Sequence, residues 1–230
     1  MKYSAPLTLA GYELSKWERL LFFLTHPGWI KYYSDWKQSL KEDKNAWDLK
    51  IPWFTYGAID WLKKNLKTGS RIFEYGTGGS TLFFSLYASE LVAVEHNEKW
   101  YKQVCDSIIA NPNVKLLHKT PVLAQTGKTN FFPSETFAEY KGYSFENYVM
   151  TIDSYPDNYF DVISVDGRCR CACLTVAVKK LKNGGILIID NSERLAYHDA
   201  MARIKNSQRY DFDGFGPGLV TFWRTTIFIK

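Results

Sequence analysis

The chain has 230 residues, 46% of them hydrophobic and 23% charged, with a formal net charge of +5. That length suits one α/β domain with an extension, and the composition is that of a globular protein and excludes a disordered one. Charges of both signs are interspersed, so the positive excess reads as solvated surface and no nucleic-acid partner is expected.

The first segment is rich in aromatic residues: Trp17, Phe22, Phe23, Trp29, Tyr32, Tyr33, Trp36, Trp47 and Trp53. Trp17, Leu20, Leu21 and Leu24 recur at helical spacing, Pro27-Gly28 interrupts, and a second short helix is expected through Trp36 to Leu40. The longest early apolar run, Leu20 to Leu24, is far short of the ~20 residues that span a bilayer. Met1 to Gly11 lacks a signal-peptide pattern, so no transmembrane segment and a cytoplasmic location are expected. Residues 1–50 read as a helical extension packed on a main domain at 51–230, and as a lid for its site. Within them, the polar stretch Glu42 to Lys50 is expected as a loop.

A helical pattern covers Tyr56 to Leu66, with Ile59, Leu62 and Leu66 on one face. From Thr68-Gly69-Ser70 onward, strand and helix patterns alternate, the mark of a parallel sheet. Strands are expected at Arg71–Tyr75, Leu91–Glu95, Val114–His118, Phe160–Val165 and Ile186–Asp190, rich in Ile and Val as doubly covered strands are. Helices are expected at Ser80–Tyr87, Lys99–Ile109, Phe145–Asp153, Cys171–Leu181 and Ala196–Lys205. The end differs: Tyr210–Asp213 and Val220–Ile229 read as strands joined by Gly214-Phe215-Gly216-Pro217-Gly218, too short a connection for a helix, hence antiparallel.

Four cysteines are present, Cys105, Cys169, Cys171 and Cys173. No second pair completes a zinc knuckle, so they read as small side chains kept reduced. The strongest signal is Phe73-Glu74-Tyr75-Gly76-Thr77-Gly78-Gly79-Ser80-Thr81, a strand running into glycines and then a helix. Glycines let the backbone turn sharply and let a ligand approach. Position 81 is Thr, so the third glycine of a dinucleotide fingerprint is missing. Glu74, just before the first glycine, suits a cationic ligand better than a pyrophosphate. Glu95 ends the second strand, where a carboxylate accepts two hydrogen bonds from ribose hydroxyls.

Glu74-x-Gly76-x-Gly78, Glu95, Asp166 after the fourth strand and Leu181-Lys-Asn-Gly184-Gly185 resemble the class I S-adenosylmethionine (SAM)-dependent methyltransferases over about residues 50–230. Phe73-Glu-Tyr-Gly, Val165-Asp-Gly-Arg168 and Asp190-Asn-Ser-Glu-Arg194 resemble one subgroup of that family. The resemblance implies a Rossmann-like α/β fold: seven strands, mostly parallel, with an antiparallel last strand. It implies that Glu74, Gly76, Thr77, Gly78 and Ser80 line the methionine and ribose part of SAM, that Glu95 holds the ribose, and that His96 flanks the adenine. Family members often have an acid contacting the adenine after the third strand; here Leu117-His118-Lys119-Thr120 has none, and that contact stays open.

Asp166 and Asp190 end adjacent strands at the mouth where open α/β sheets bind ligands, and both are candidates for proton transfer. Asp166 also counts among the cofactor contacts, with a helix cap as its alternative. Asp166 with Asp190-Asn191 resembles the magnesium site of catechol-type O-methyltransferases. Cys169 stands where those enzymes carry a Lys, so a divalent metal is left open and not expected. Arg168, Asn191 and Arg194 are candidates to bind the substrate; Arg170 and His198 are read as either site groups or surface charge. Base-methylating enzymes typically carry an Asn/Asp-Pro-Pro-aromatic loop after the fourth strand, and Asp166-Gly-Arg-Cys replaces it. The expected reaction is methyl transfer to a hydroxyl, or else an amine, of a small-molecule or glycan-like acceptor. A nicotinamide-dependent oxidoreductase and a non-catalytic SAM-binding protein are the alternatives, and a homo-oligomer stays open.

Overall fold

A computed structural model describes residues 15–41, 49–108, 111–124, 132–133 and 138–230. Met1 to Gly11, Trp47, most of the expected loop Glu42–Lys50 and the end of the expected helix at Ile109 lie outside the described residues. The chain begins with α1 (Lys16–Thr25), α2 (Ile30–Ser39) and α3 (Tyr56–Asn65). It then alternates: β1 (Ser70–Tyr75), α4 (Gly79–Ser85), β2 (Ala88–Glu95), α5 (Glu98–Ile108) and β3 (Val114–His118). Two short strands, β4 (Val122–Leu123) and β5 (Tyr143–Ser144), pair separately. The sheet resumes with α6 (Glu146–Val149), β6 (Phe160–Val165), α7 (Arg170–Lys180), β7 (Leu181–Asp190), α8 (His198–Ala202), β8 (Gln208–Gly214) and β9 (Trp223–Ile229).

The seven-stranded sheet has the order β3-β2-β1-β6-β7-β9-β8. β1, β2, β3, β6 and β7 pair in parallel, while β9 inserts antiparallel to both β7 and β8. Chain order reverses between β1 and β6, which opens a crevice at their carboxyl ends. The central strands are doubly covered: Ile72, Phe73, Leu91, Val92, Val94, Ile163, Ile188 and Ile189 are fully buried. One core lies between the sheet and α3, and a second lies between the sheet and α6–α7.

Two expected boundaries shift for physical reasons. β7 begins at Leu181, because Phe160 pairs with Leu181 before a register shift carries the ladder to Ile186. The Lys182–Gly185 stretch therefore belongs to the strand. The long helix expected over Phe145–Asp153 is a four-residue turn of α-helix that tightens into a 3-10 turn over Met150–Ser154.

The N-terminal helices bind the domain through aromatic contacts. Phe22, Phe23, Trp29 and Trp36 surround Phe215, at ring-centroid distances of 4.8–6.1 Å. Gly214 has φ +150°, and a Cβ there would lie 1.9 Å from the Trp29 ring, so only glycine admits that indole. The outward surface departs from the expectation of a packed flap. Trp17, Leu20, Leu21 and Leu24 point away from the domain and stay largely exposed.

Candidate active site

The first glycine turn is built by steric need. Gly76 has φ +88°, and a Cβ there would meet the backbone of Gly167 at 2.9 Å and the Asp166 carbonyl at 3.0 Å. The ends of β1 and β6 can thus approach each other only with glycine at this position. Beyond them opens a cavity of about 710 Å³, within the ~300–1,000 Å³ of small-molecule sites.

Of the residues expected in the site, Gly76, Thr77, Glu95, His96, Asp166, Arg168, Asp190 and Asn191 line this cavity. Glu74, Gly78 and Ser80 sit buried behind the glycine turn and do not form its wall. Arg194 turns toward the Tyr197 hydroxyl at 3.4 Å, away from the lining, although its charge still acts on Asp166. His198 is exposed at the start of α8 and is not in the lining.

Glu95 organises one end of the cavity. Its Oε2 accepts from the Thr77 amide and hydroxyl, both at 3.1 Å, and its Oε1 accepts from the amides of His96 at 2.9 Å and Asn97 at 2.8 Å. Burial opposes its charge, but His96 and the Asn97 and Thr77 amides outweigh that and hold the carboxyl below its usual range. The acid therefore fixes the glycine turn to the loop after β2. The His96 ring sits among Tyr140, Phe145 and Tyr148.

Glu74 is the anomaly. It is fully buried, and no donor meets either carboxyl oxygen at full hydrogen-bond geometry. Burial pushes its carboxyl up to about 8; the Ser80 and Thr81 hydroxyls draw it down, and the charges of Asp166 and Glu95 push it further up.

At the other end, Arg170 staples β6 to β7. It is buried, and its guanidinium pairs with Asp166 Oδ1 at 2.9 Å. It also donates to the backbone carbonyls of Gly167, Asp166 and Asp190 and to Asn191 Oδ1. Asn191 takes a left-handed turn, φ 51°, at the end of this clamp. Burial raises both acids: the three arginines pull Asp166 back, while Asp166 itself raises Asp190 well above the carboxylate range. Asp190 Oδ1 accepts from Trp223 Nε1 at 3.0 Å and Thr225 Oγ1 at 2.6 Å. Among the described residues, no three His, Cys, Asp or Glu side chains converge as metal ligands. The four cysteines form no disulfide.

The sequence reading misses Arg170's clamping role and several wall residues. Trp100 donates from Nε1 to the Thr77 carbonyl at 2.6 Å and joins the cavity wall. Its place one turn into the helix after Glu95 is a signal that could have found it. Tyr140, Trp53, Leu219 and Trp223 complete the lining. No residue of α1 or α2 is part of the lining among the described residues. Yet α2 holds the rim: Trp36 Nε1 donates to the Leu219 carbonyl at 2.8 Å, and the Ser39 hydroxyl accepts from the Gly218 amide at 3.0 Å.

No protein-family model matches the sequence, and no curated protein does. Solved structures do resemble it. An O-methyltransferase from Bacillus cereus in complex with S-adenosylhomocysteine (SAH) has TM-score 0.51 and 18% identity, covering 70% of this chain and 75% of that one. A candidate methyltransferase from Streptococcus mutans in complex with SAH has TM-score 0.50 and 13% identity, covering 74% and 94%. An rRNA methylase from Streptococcus thermophilus has TM-score 0.50 and 12% identity, covering 74% and 92%. The chain thus has the Rossmann-like fold of methyltransferases, with its antiparallel strand β9 set between β7 and β8.

Proposed function

We propose that this chain is a class I SAM-dependent methyltransferase acting on a hydroxyl of a small-molecule or glycan-like acceptor, with an amine as the second choice. The observation that carries the reading is the buried carboxyl of Glu74 beneath the glycine turn, which no donor meets at full hydrogen-bond geometry. With the charges of Glu95 and Asp166 nearby, it is an acid whose proton a bound cation would draw off, which favours a sulfonium over the pyrophosphate of a nicotinamide dinucleotide. The likeness to SAH-bound structures supports the same ligand. The quoted motifs around Glu74, Asp166 and Asp190 all reach one cavity, which supports reading them as one subgroup signature.

In this reading Gly76 and Thr77 give the cofactor its close approach. Glu95 Oε2 exchanges the Thr77 hydroxyl for a ribose hydroxyl, and His96 with Tyr140 flanks the adenine. SAM supplies an electrophilic methyl group. The protein aligns the acceptor with it and excludes water. Arg168 and Asn191 orient the acceptor against Trp53, Leu219 and Trp223. The acceptor's proton passes to Asp166, whose proton affinity burial raises above that of a free carboxylate, while Asp190, raised further, keeps its own proton beside it. Asp166, with its side chain 24% exposed, faces the cavity.

SAM or SAH at 100 times its Kd should stabilise the fold by about 2.7 kcal/mol, measured as a melting shift. NADH should give none. A shift with NADH and none with SAM or SAH would replace this reading with the oxidoreductase. Glu95→Ala should weaken SAM binding by roughly 1.5–3 kcal/mol in titration calorimetry, as loss of a charge-assisted bond pair requires. An unchanged Kd would remove Glu95 from the cofactor site.

A further inference from the structure

The first helix is apolar on both sides. Its start is marked by its own capping box, in which Ser15 Oγ accepts from the Glu18 amide and the Glu18 carboxylate accepts from the Ser15 amide. Phe22 and Phe23 face the domain and are buried. Trp17, Leu20, Leu21 and Leu24, at i, i+3, i+4 and i+7, form the opposite face and are 80%, 50%, 60% and 69% exposed. Ile30, at the head of α2, is 57% exposed. A single exposed leucine is ordinary, but a continuous stripe of large apolar side chains marks an interaction surface. Lys16, Glu18 and Arg19 interrupt the helix surface only at its first turn, so beyond them the outer face is the apolar stripe.

We infer that this face of α1 seats the protein on an anionic lipid surface. Charge selects that occupant. Residues 15–41 carry Lys16, Arg19, Lys31, Lys37 and Lys41 against only Glu18 and Asp35. All of these except Arg19 are exposed, and Lys31 is paired with Asp60 at 2.6 Å, which leaves Lys16, Lys37 and Lys41 as the exposed cations without an ion pair among the described residues. Stable attachment to a bilayer needs an apolar insertion together with a basic patch, and both are present on this segment. A second copy docked on the same stripe would bring two positive surfaces together, which disfavours self-pairing. Trp17, at the outer end of the stripe, has the amphipathic ring that favours the headgroup level. Ten residues of helix span about 15 Å, half of a bilayer core, so the helix lies along the surface and does not cross it. The same segment grips the cavity rim through the Trp36–Leu219 and Ser39–Gly218 bonds, so contact with lipid would be continuous with the mouth of the site. The inference does not depend on the methyl-transfer reading.

The test is co-sedimentation of the full chain with vesicles of phosphatidylcholine alone and of phosphatidylcholine mixed with phosphatidylglycerol. Binding to the mixed vesicles should be at least about tenfold tighter and should fall as salt is raised. Combined Trp17→Ser, Leu21→Ser and Leu24→Ser should weaken it by about tenfold or more with the melting temperature unchanged, because these side chains touch no core. Leu24→Ser alone gives a graded loss should the triple variant fail to fold. Equal binding by wild type and variants, or no binding to either vesicle, overturns the inference. So does a dimer in sedimentation velocity that the triple variant converts to monomer while vesicles bind neither form.

Discussion

Arg170→Ala should destabilise the protein by about 3–5 kcal/mol near neutral pH, because it removes one partner of a buried ion pair and leaves the other behind. For a chain of this size that is a fall in melting temperature of roughly 6–20 °C. The guanidinium ties together groups from two strand ends: the Asp166 carboxylate, three backbone carbonyls and the Asn191 side chain. Without it, Asp166 and Asp190 lose the positive charge that opposes their burial, and both hold their protons more strongly. The loss should therefore shrink toward pH 5, where protonation discharges the orphaned acids. Arg170→Lys should recover only a minor part, since an ammonium cannot reproduce the fork of donors. Thermal melts at pH 5 and pH 8 check this. A drop below 2 °C, or the same drop at both pH values, would show that the clamp is not what holds β6 to β7.

That clamp also marks where the sequence stops being readable. The ends of β2 and β6 were legible because apolar runs stop at an acid, as in Val92-Ala-Val-Glu95, and the end of β1 because Tyr75 runs into Gly76. Glu95's type and place were legible, while its bonds to Thr77, His96 and Asn97 exist only once the turn folds over it. Arg170 reads equally as a substrate-binding group and as a helix-start charge. Its partners lie up to twenty-one positions away, on a strand end brought near by the β6–β7 pairing. Tyr140 comes from a stretch of mixed polar and aromatic residues with no periodicity, so neither the β4–β5 hairpin nor the ring over His96 could be expected. In α1 the spacing of Trp17, Leu20, Leu21 and Leu24 announced a helix, yet Phe22 and Phe23 took the inner face. Periodicity reveals that a face is apolar and not what covers it.

Replacing Glu74 by Gln should make the protein more stable above neutral pH and weaken it as a cofactor binder. In the unfolded chain Glu74 loses its proton from its ordinary value of 4.5 upward; in the fold it keeps that proton until about 8. Between those values the folded state binds more protons than the unfolded state, so this residue's contribution to stability falls as pH rises. A shift of that size amounts to about 5 kcal/mol once both states are ionised. Glu74→Gln keeps the shape without the charge, so urea unfolding at pH 5 should give nearly equal stabilities. At pH 8.5 the variant should lead by several kcal/mol. A buried acid that costs this much is a feature to be explained by a ligand, and a cation beneath the glycine turn would explain it. SAM binding near pH 7 should then discharge a proton from Glu74, giving wild type a calorimetric enthalpy that changes with the ionisation enthalpy of the buffer. The variant should bind SAM more weakly and show no such buffer dependence. Parallel stability curves for the two proteins between pH 5 and 8.5 would mean that Glu74 is already ionised in the fold, and the case for a sulfonium over it would lose its main support.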